Sequence, residues 1–189
     1  MGYYGDHPSD AGDDPDLAAL DRPLLLIGPP GAGVGSVAAA LCSLTGWPLA
    51  DLDRRVEHDA GRSLAALLRA EGGRMARARE AAALARALQE RPPAVIAAGP
   101  FAFEHLDSRR QAAAGAQVVC LLRPLEALRA GLAAERSRSP GALPGVEPAD
   151  IPTVSDALLA QLFDGALRVD VGASPPWAAA RAVLAALGR

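Results

Sequence analysis

The chain has no lysine: all 19 of its basic residues are arginine. Any chemistry that needs an ammonium group must do without one. Cysteine is almost as scarce. Cys42 and Cys120 stand far apart, outside any CxxC or Cys/His spacing, which excludes a disulfide framework and a cysteine zinc site and points to a reducing compartment. Both sit in apolar contexts where inert, buried thiols are the rule. Aromatic residues make up 4% of the chain and the net charge is −3, so stacking platforms and a basic field for a phosphate backbone are both lacking. Nucleic acid is excluded as an expected partner. No apolar run approaches the roughly 18 to 20 residues that cross a bilayer, and the acidic N-terminal stretch is unlike a secretory or transit signal. No membrane partner and a cytoplasmic location are therefore expected. His7, His58 and His105 are single and scattered, without metal-site spacing.

What is present suits one ordinary domain: 189 residues, half of them hydrophobic, 22% charged. Residues 1–21 carry six aspartates and little apolar content, and read as an acidic leader outside the core. The domain is expected over residues 22–189. Leu24 to Ile27 is a continuous apolar run of the kind buried on both faces of a parallel sheet. Further strands are expected at Trp47 to Ala50, Ala94 to Ala98, Gln117 to Leu122 and Leu167 to Val171. Helices are expected at Val37 to Leu44, Arg54 to Asp59, Leu64 to Ala70 behind a Ser63 cap, and Met75 to Glu90 beyond a Gly72-Gly73 break. Later helices fall at Glu104 to Ala114, Pro124 to Ala134, Val154 to Phe163 and Pro176 to Leu187. Trp47 and Trp177 read as packing residues. The segment from about 135 to 152, rich in Pro, Gly and Ser, reads as a lid. Such alternation of strand and helix predicts a three-layer α/β/α domain with a five-stranded parallel sheet, and ligands at the carboxyl ends of its strands.

The first strand runs into Gly28-Pro29-Pro30-Gly31-Ala32-Gly33-Val34-Gly35-Ser36 and then a helix. Glycines in that order let backbone N–H groups converge on a phosphate at the positive helix end. In the phosphate-loop signature G-x-x-x-x-G-K-[ST], however, Val34 occupies the lysine position. A unit charge about 4 Å from another is worth roughly 4 kcal/mol at an effective dielectric of about 20. Realised in the transition state, that is about three orders of magnitude in rate.

With this loop in place, residues 23–188 resemble the shikimate kinases, phosphate-loop enzymes of the nucleoside-monophosphate-kinase-like branch that use ATP and Mg²⁺ to phosphorylate shikimate. Asp51-Leu52-Asp53 resembles the family's D-x-D. Gly72-Gly73-Arg74-Met75-Ala76-Arg77-Ala78-Arg79-Glu80 is similar to its G-E-x-x-F-R-x-x-E, with the first Glu and the Phe replaced by Gly73 and Ala76. Val95 to Phe101 matches the strand that ends in T-G-G-G, of which Gly99 alone is left, followed by Pro100 and Phe101. Val118-Val119-Cys120-Leu121 resembles V-V-Y-L, and Arg136-Ser137-Arg138 resembles the lid segment.

The resemblance implies roles. Gly28, Gly31, Ala32, Gly33, Val34, Gly35, Ser36 and Arg136 would face the nucleotide; Ser36 and Asp51 would serve the magnesium shell. Asp53, Arg77, Glu80 and Gly99 would hold a shikimate-like substrate, with Arg77 gripping its carboxylate fork to fork. Asp53 and Arg138 would be catalytic, Asp53 orienting the attacking hydroxyl and Arg138 meeting the phosphates from the lid. A second substrate arginine, expected before the last strand, is missing: Leu158 and Leu159 occupy that region. Two functions are compatible with this pattern. One is a family member impaired in catalysis that binds a nucleotide, a metabolite or a protein. The other is an active ATP-dependent kinase acting on shikimate or another hydroxylated small molecule, in which an arginine replaces the absent lysine.

Overall fold

A computed structural model describes residues 19–138, 146–162 and 165–189. Most of the expected acidic leader, the middle of the expected lid and the end of the helix expected to reach Phe163 therefore lie outside the described residues. The sheet has five strands, all parallel: β1 (Leu24–Ile27), β2 (Leu49–Asp51), β3 (Val95–Ala97), β4 (Gln117–Leu122) and β5 (Leu167–Asp170), in the order β2-β3-β1-β4-β5. β1 lies between β3 and β4, with Leu24 opposite both Val95 and Gln117. That arrangement is a topological switch point, which opens a crevice beyond the strand ends.

Burial on both faces explains the unbroken apolar runs, because alternate residues enter different layers. Leu24, Leu26, Val119 and Leu121 face one core with Val37, Ala38 and Leu41 of α1 (Val34–Thr45) and Ala179, Ala180 and Val183 of α7 (Pro176–Ala186). Leu25, Ile27, Ile96, Val118 and Cys120 face the other, against Leu52 and Val56 of α2 (Leu52–Ala60), Leu67, Ala83 and Leu84 of α3 (Leu64–Ala87) and Ala112 of α4 (Leu106–Gly115). Leu158 of α6 (Ile151–Ala160) is buried in this second core, so the region where a substrate arginine was sought is given to packing. Trp47 is buried as expected, whereas Trp177 is 60% exposed and packs little.

Among the boundaries that differ from expectation, those of α1 and α5 bear on the site and have local reasons. α1 starts at Val34, three residues early, because the left-handed Gly33 ends the loop there. The two helices expected on either side of the Gly72-Gly73 pair are present, the two halves of α3, parted by a kink at Gly72, whose φ of 79° and ψ of 164° are non-helical. α5 (Leu125–Arg138) runs four residues beyond Ala134, so the backbones of Arg136 and Arg138 are helical rather than part of a lid loop. Among the described residues no helix is long and apolar enough to cross a membrane.

Candidate functional site

Two regions meet at the carboxyl edge of the sheet. One is a cavity of about 410 Å³ lined by Asp53, Arg77, Glu80, Gly99 and Phe101, with apolar walls from Leu64, Leu68, Ala76, Val146 and Val154. Local structure accounts for this gathering. Asp51 caps α2, its Oδ1 accepting from the Arg54 N–H at 3.2 Å, and so sets Asp53 in the first turn. The Gly72 bend then aims the second half of α3, whose residues 73, 76, 77 and 80 fall on one helical face. Gly99, two residues beyond β3, lies beside them; a Cβ there would be 3.8 Å from Asp53 Oδ1.

The electrostatics of the cavity are acidic. Loss of solvent, then the charges of Asp51, Glu57 and Glu135, push the Asp53 carboxyl up to about 7. Loss of solvent, then Asp53 and Glu104, push Glu80 up to about 7 as well, against the pull of Arg77. Glu80 Oε2 is buried without a hydrogen-bond partner. Arg77 is already engaged: its Nε meets Glu104 Oε2 at 3.0 Å and its guanidinium lies 6.0 Å from the centre of the Phe101 ring. Gly73 makes room for it, since a Cβ there would stand 3.2 Å from the guanidinium.

The other region is the glycine loop. Its stretch from Gly28 to Ala32 is buried. The Ala32 N–H donates to the Pro29 carbonyl at 3.0 Å, closing a turn. Ala32 and Val34 lie over Gly28, where a Cβ would meet them at 2.8 and 3.2 Å, and Val34 packs against the core. The loop apex sits on α5. A Cβ at Gly31 would fall 1.9 Å from the Leu128 carbonyl oxygen, and one at Gly131 would fall 2.0 Å from the Gly31 carbonyl oxygen. Only glycine on both sides permits that approach. A Cβ at Gly35 would lie 3.6 Å from Asp51 Oδ2, with Ser36 one residue on. Among the described residues no group of three or more His, Cys, Asp or Glu side chains could hold a metal ion.

Arg136 donates to the Val146 carbonyl and lies 3.8 Å from Glu147 Oε2, tying the end of α5 to the cavity wall. The Arg138 side chain lies outside what is described. Sequence reasoning missed Arg123, which donates to the carbonyls of Ala32 at 3.0 Å, Gly172 at 3.1 Å and Ser174 at 2.9 Å. A lone arginine directly after a buried strand, at the ligand-binding edge of the sheet, was its available signal. Glu104, Asp150 and Thr153 were missed too. Nothing local marks Glu104 as the partner of a residue on another helix.

An all-parallel sheet of this order, with a glycine loop after β1 and a cavity beside it, defines a phosphate-loop α/β fold of the nucleoside-monophosphate-kinase-like type. Solved structures agree. Shikimate kinase from Acinetobacter baumannii in complex with shikimate superposes with a TM-score of 0.73 at 23% identity, over 88% of this chain and 92% of that one. A gluconokinase from Sinorhizobium meliloti gives 0.56 at 22% identity, over 91% and 94%. The shikimate kinase family model matches residues 30–143. The shikimate kinase of Caulobacter vibrioides is 31% identical over 174 residues, covering 91% of this chain and 86% of that protein. The chain belongs to the shikimate kinase family.

Proposed function

We propose that this protein binds a small molecule in the Asp53–Arg77–Glu80 cavity and is impaired as a kinase, with weak or absent binding of ATP and Mg²⁺. The observation that carries the reading is the state of the glycine loop. A loop that cradles phosphates needs inward N–H groups and a cation. Here Val34 brings a hydrocarbon, the Ala32 N–H is committed to Pro29, and the apex is packed onto α5. Among the described side chains, two nearby arginines are engaged elsewhere: Arg123 is held by three carbonyls and Arg136 by Val146 and Glu147. The magnesium shell is left to Ser36 and to Asp51, one of whose oxygens already caps α2. ATP and Mg²⁺ in the family's manner do not fit these residues.

A second reading, an active kinase for shikimate or a related hydroxylated molecule, is favoured by one observation: Asp53, Arg77, Glu80 and Gly99 line a single cavity. Asp53 would then orient the attacking hydroxyl. Release of ADP from Mg-ATP and shikimate separates the two. The impaired reading expects turnover about three orders of magnitude below the roughly 1 to 100 s⁻¹ of ordinary kinases. A rate within that ordinary range would overturn it.

A further inference from the structure

Arg77 is the single cation among the described residues that line the cavity, so on the reading that the cavity is a binding site its aim decides how an anionic ligand is held. α3 by itself does little to aim it. Gly73, one turn back on the helix, and Ala76, the preceding residue, have no side chain that could hold a guanidinium, although the family's motif carries Glu and Phe at these two positions. A long side chain left to swing must be immobilised when a ligand binds, and that lowers affinity.

The missing partners come from another segment of the chain, the turn Pro100–Phe103 that follows β3 and Glu104 just beyond it. Glu104 Oε2 lies 3.0 Å from Arg77 Nε, and the guanidinium lies 6.0 Å from the centre of the Phe101 ring. An acid and an aromatic ring therefore stand beside Arg77 again. The acid occupies one edge only. Arginine carries five N–H groups, and Glu104 meets the one on Nε, which leaves those on Nη1 and Nη2. These two atoms lie over Gly73, where a Cβ would stand 3.3 and 3.2 Å from them. Gly73 lines the cavity, so the Nη edge is the one that a ligand carboxylate can grip with two parallel bonds. Stability gives little reason for the arrangement, because Arg77 and Glu104 are 38% and 39% exposed and such pairs contribute little.

We infer that Glu104 is a positioning residue: it holds Arg77 by Nε, with Phe101 beside the guanidinium, so that the Nη edge is presented to the carboxylate of a hydroxy-acid ligand. Glu104 itself is outside the cavity lining and acts through Arg77. Its own negative charge works against an incoming carboxylate, so positioning and charge have to be separated by experiment.

Calorimetric titration of the full chain, as wild type, Glu104→Gln and Glu104→Ala, with shikimate and with its uncharged methyl ester makes that separation. Both substitutions remove the same charge, and glutamine alone keeps an oxygen for Nε. Shikimate is expected to bind the glutamine variant at least about fivefold more tightly than the alanine variant, the size of freezing one long side chain. The methyl ester, which offers no carboxylate fork, is expected to bind the two within about twofold. Glu104 is exposed, and circular dichroism would show that both variants fold. Equal affinity of the two variants for shikimate would overturn the inference and leave the cavity as a binding site. So would a fivefold gap that the methyl ester shares. Absence of shikimate binding to the wild type at millimolar concentration would overturn the inference together with the reading of the cavity on which it rests.

Discussion

The glycine loop and the neighbouring cavity grow from the same sheet edge, yet they have been treated in opposite ways. Along the loop, packing contacts dominate: Val34 lies half-buried against the core, Gly31 beds against Gly131, and the Ala32 N–H is closed into a turn. Across β3, the cavity keeps Asp53, Arg77 and Glu80, and burial with mutual repulsion holds both carboxyls well above their ordinary range. Stability favours the first arrangement and opposes the second. A region that carries a stability cost without a ligand to offset it is a region to suspect of binding one.

Adding a methyl group to each region should separate the two by the largest margin. Gly31→Ala places a Cβ 1.9 Å from a backbone carbonyl at a φ of 81°, and is expected to cost about 3 kcal/mol or more in urea unfolding. Gly99→Ala meets only ordinary contact at 3.8 Å and is expected to stay within about 1 kcal/mol. Equal costs would mean that the loop is not bedded on α5.

A smaller effect follows from Glu80. Its carboxyl, ordinarily near 4.5, is pushed to about 7 in the folded protein. The folded state therefore holds a proton that the unfolded chain has released between those values. The contribution is fully present below about 4.5 and is lost as pH rises through about 7. Glu80→Gln should flatten this part of the pH–stability curve and leave the variant the more stable protein at pH 8. A curve that keeps its wild-type slope would sink the assignment. The smallest effect concerns the thiols. Loss of solvent pushes Cys42 and Cys120 to about 11, so neither should react appreciably with a disulfide reagent at pH 7.5 before unfolding.

Much of the fold was legible in the sequence because its signals are local. Leu24 to Ile27 and Gln117 to Leu122 could only be strands buried on both faces, and both match the observed bounds. The extent of α5 was not legible, since Arg136-Ser137-Arg138 carries no helix breaker and the Pro and Gly that suggested a loop begin only at 140. At the site, the family resemblance implied that Asp53, Arg77, Glu80 and Gly99 would share one site, and all four line one cavity. It did not anticipate Glu104 neutralising Arg77, because the pairing joins residues 27 apart in the chain and depends on the turn at Pro100–Phe103. The bedding of Gly31 on Gly131 was invisible for the same reason, being a contact between residues 100 apart.

A glycine loop given over to packing should offer nucleotide no seat. Calorimetry with Mg-ATP should detect no binding at millimolar nucleotide in the wild type. Val34→Lys should gain little, because the restored charge still faces a loop packed onto α5. Saturable binding of Mg-ATP by the unmodified chain, with a Kd below about 0.1 mM, or thermal stabilisation of the matching size, would contradict it.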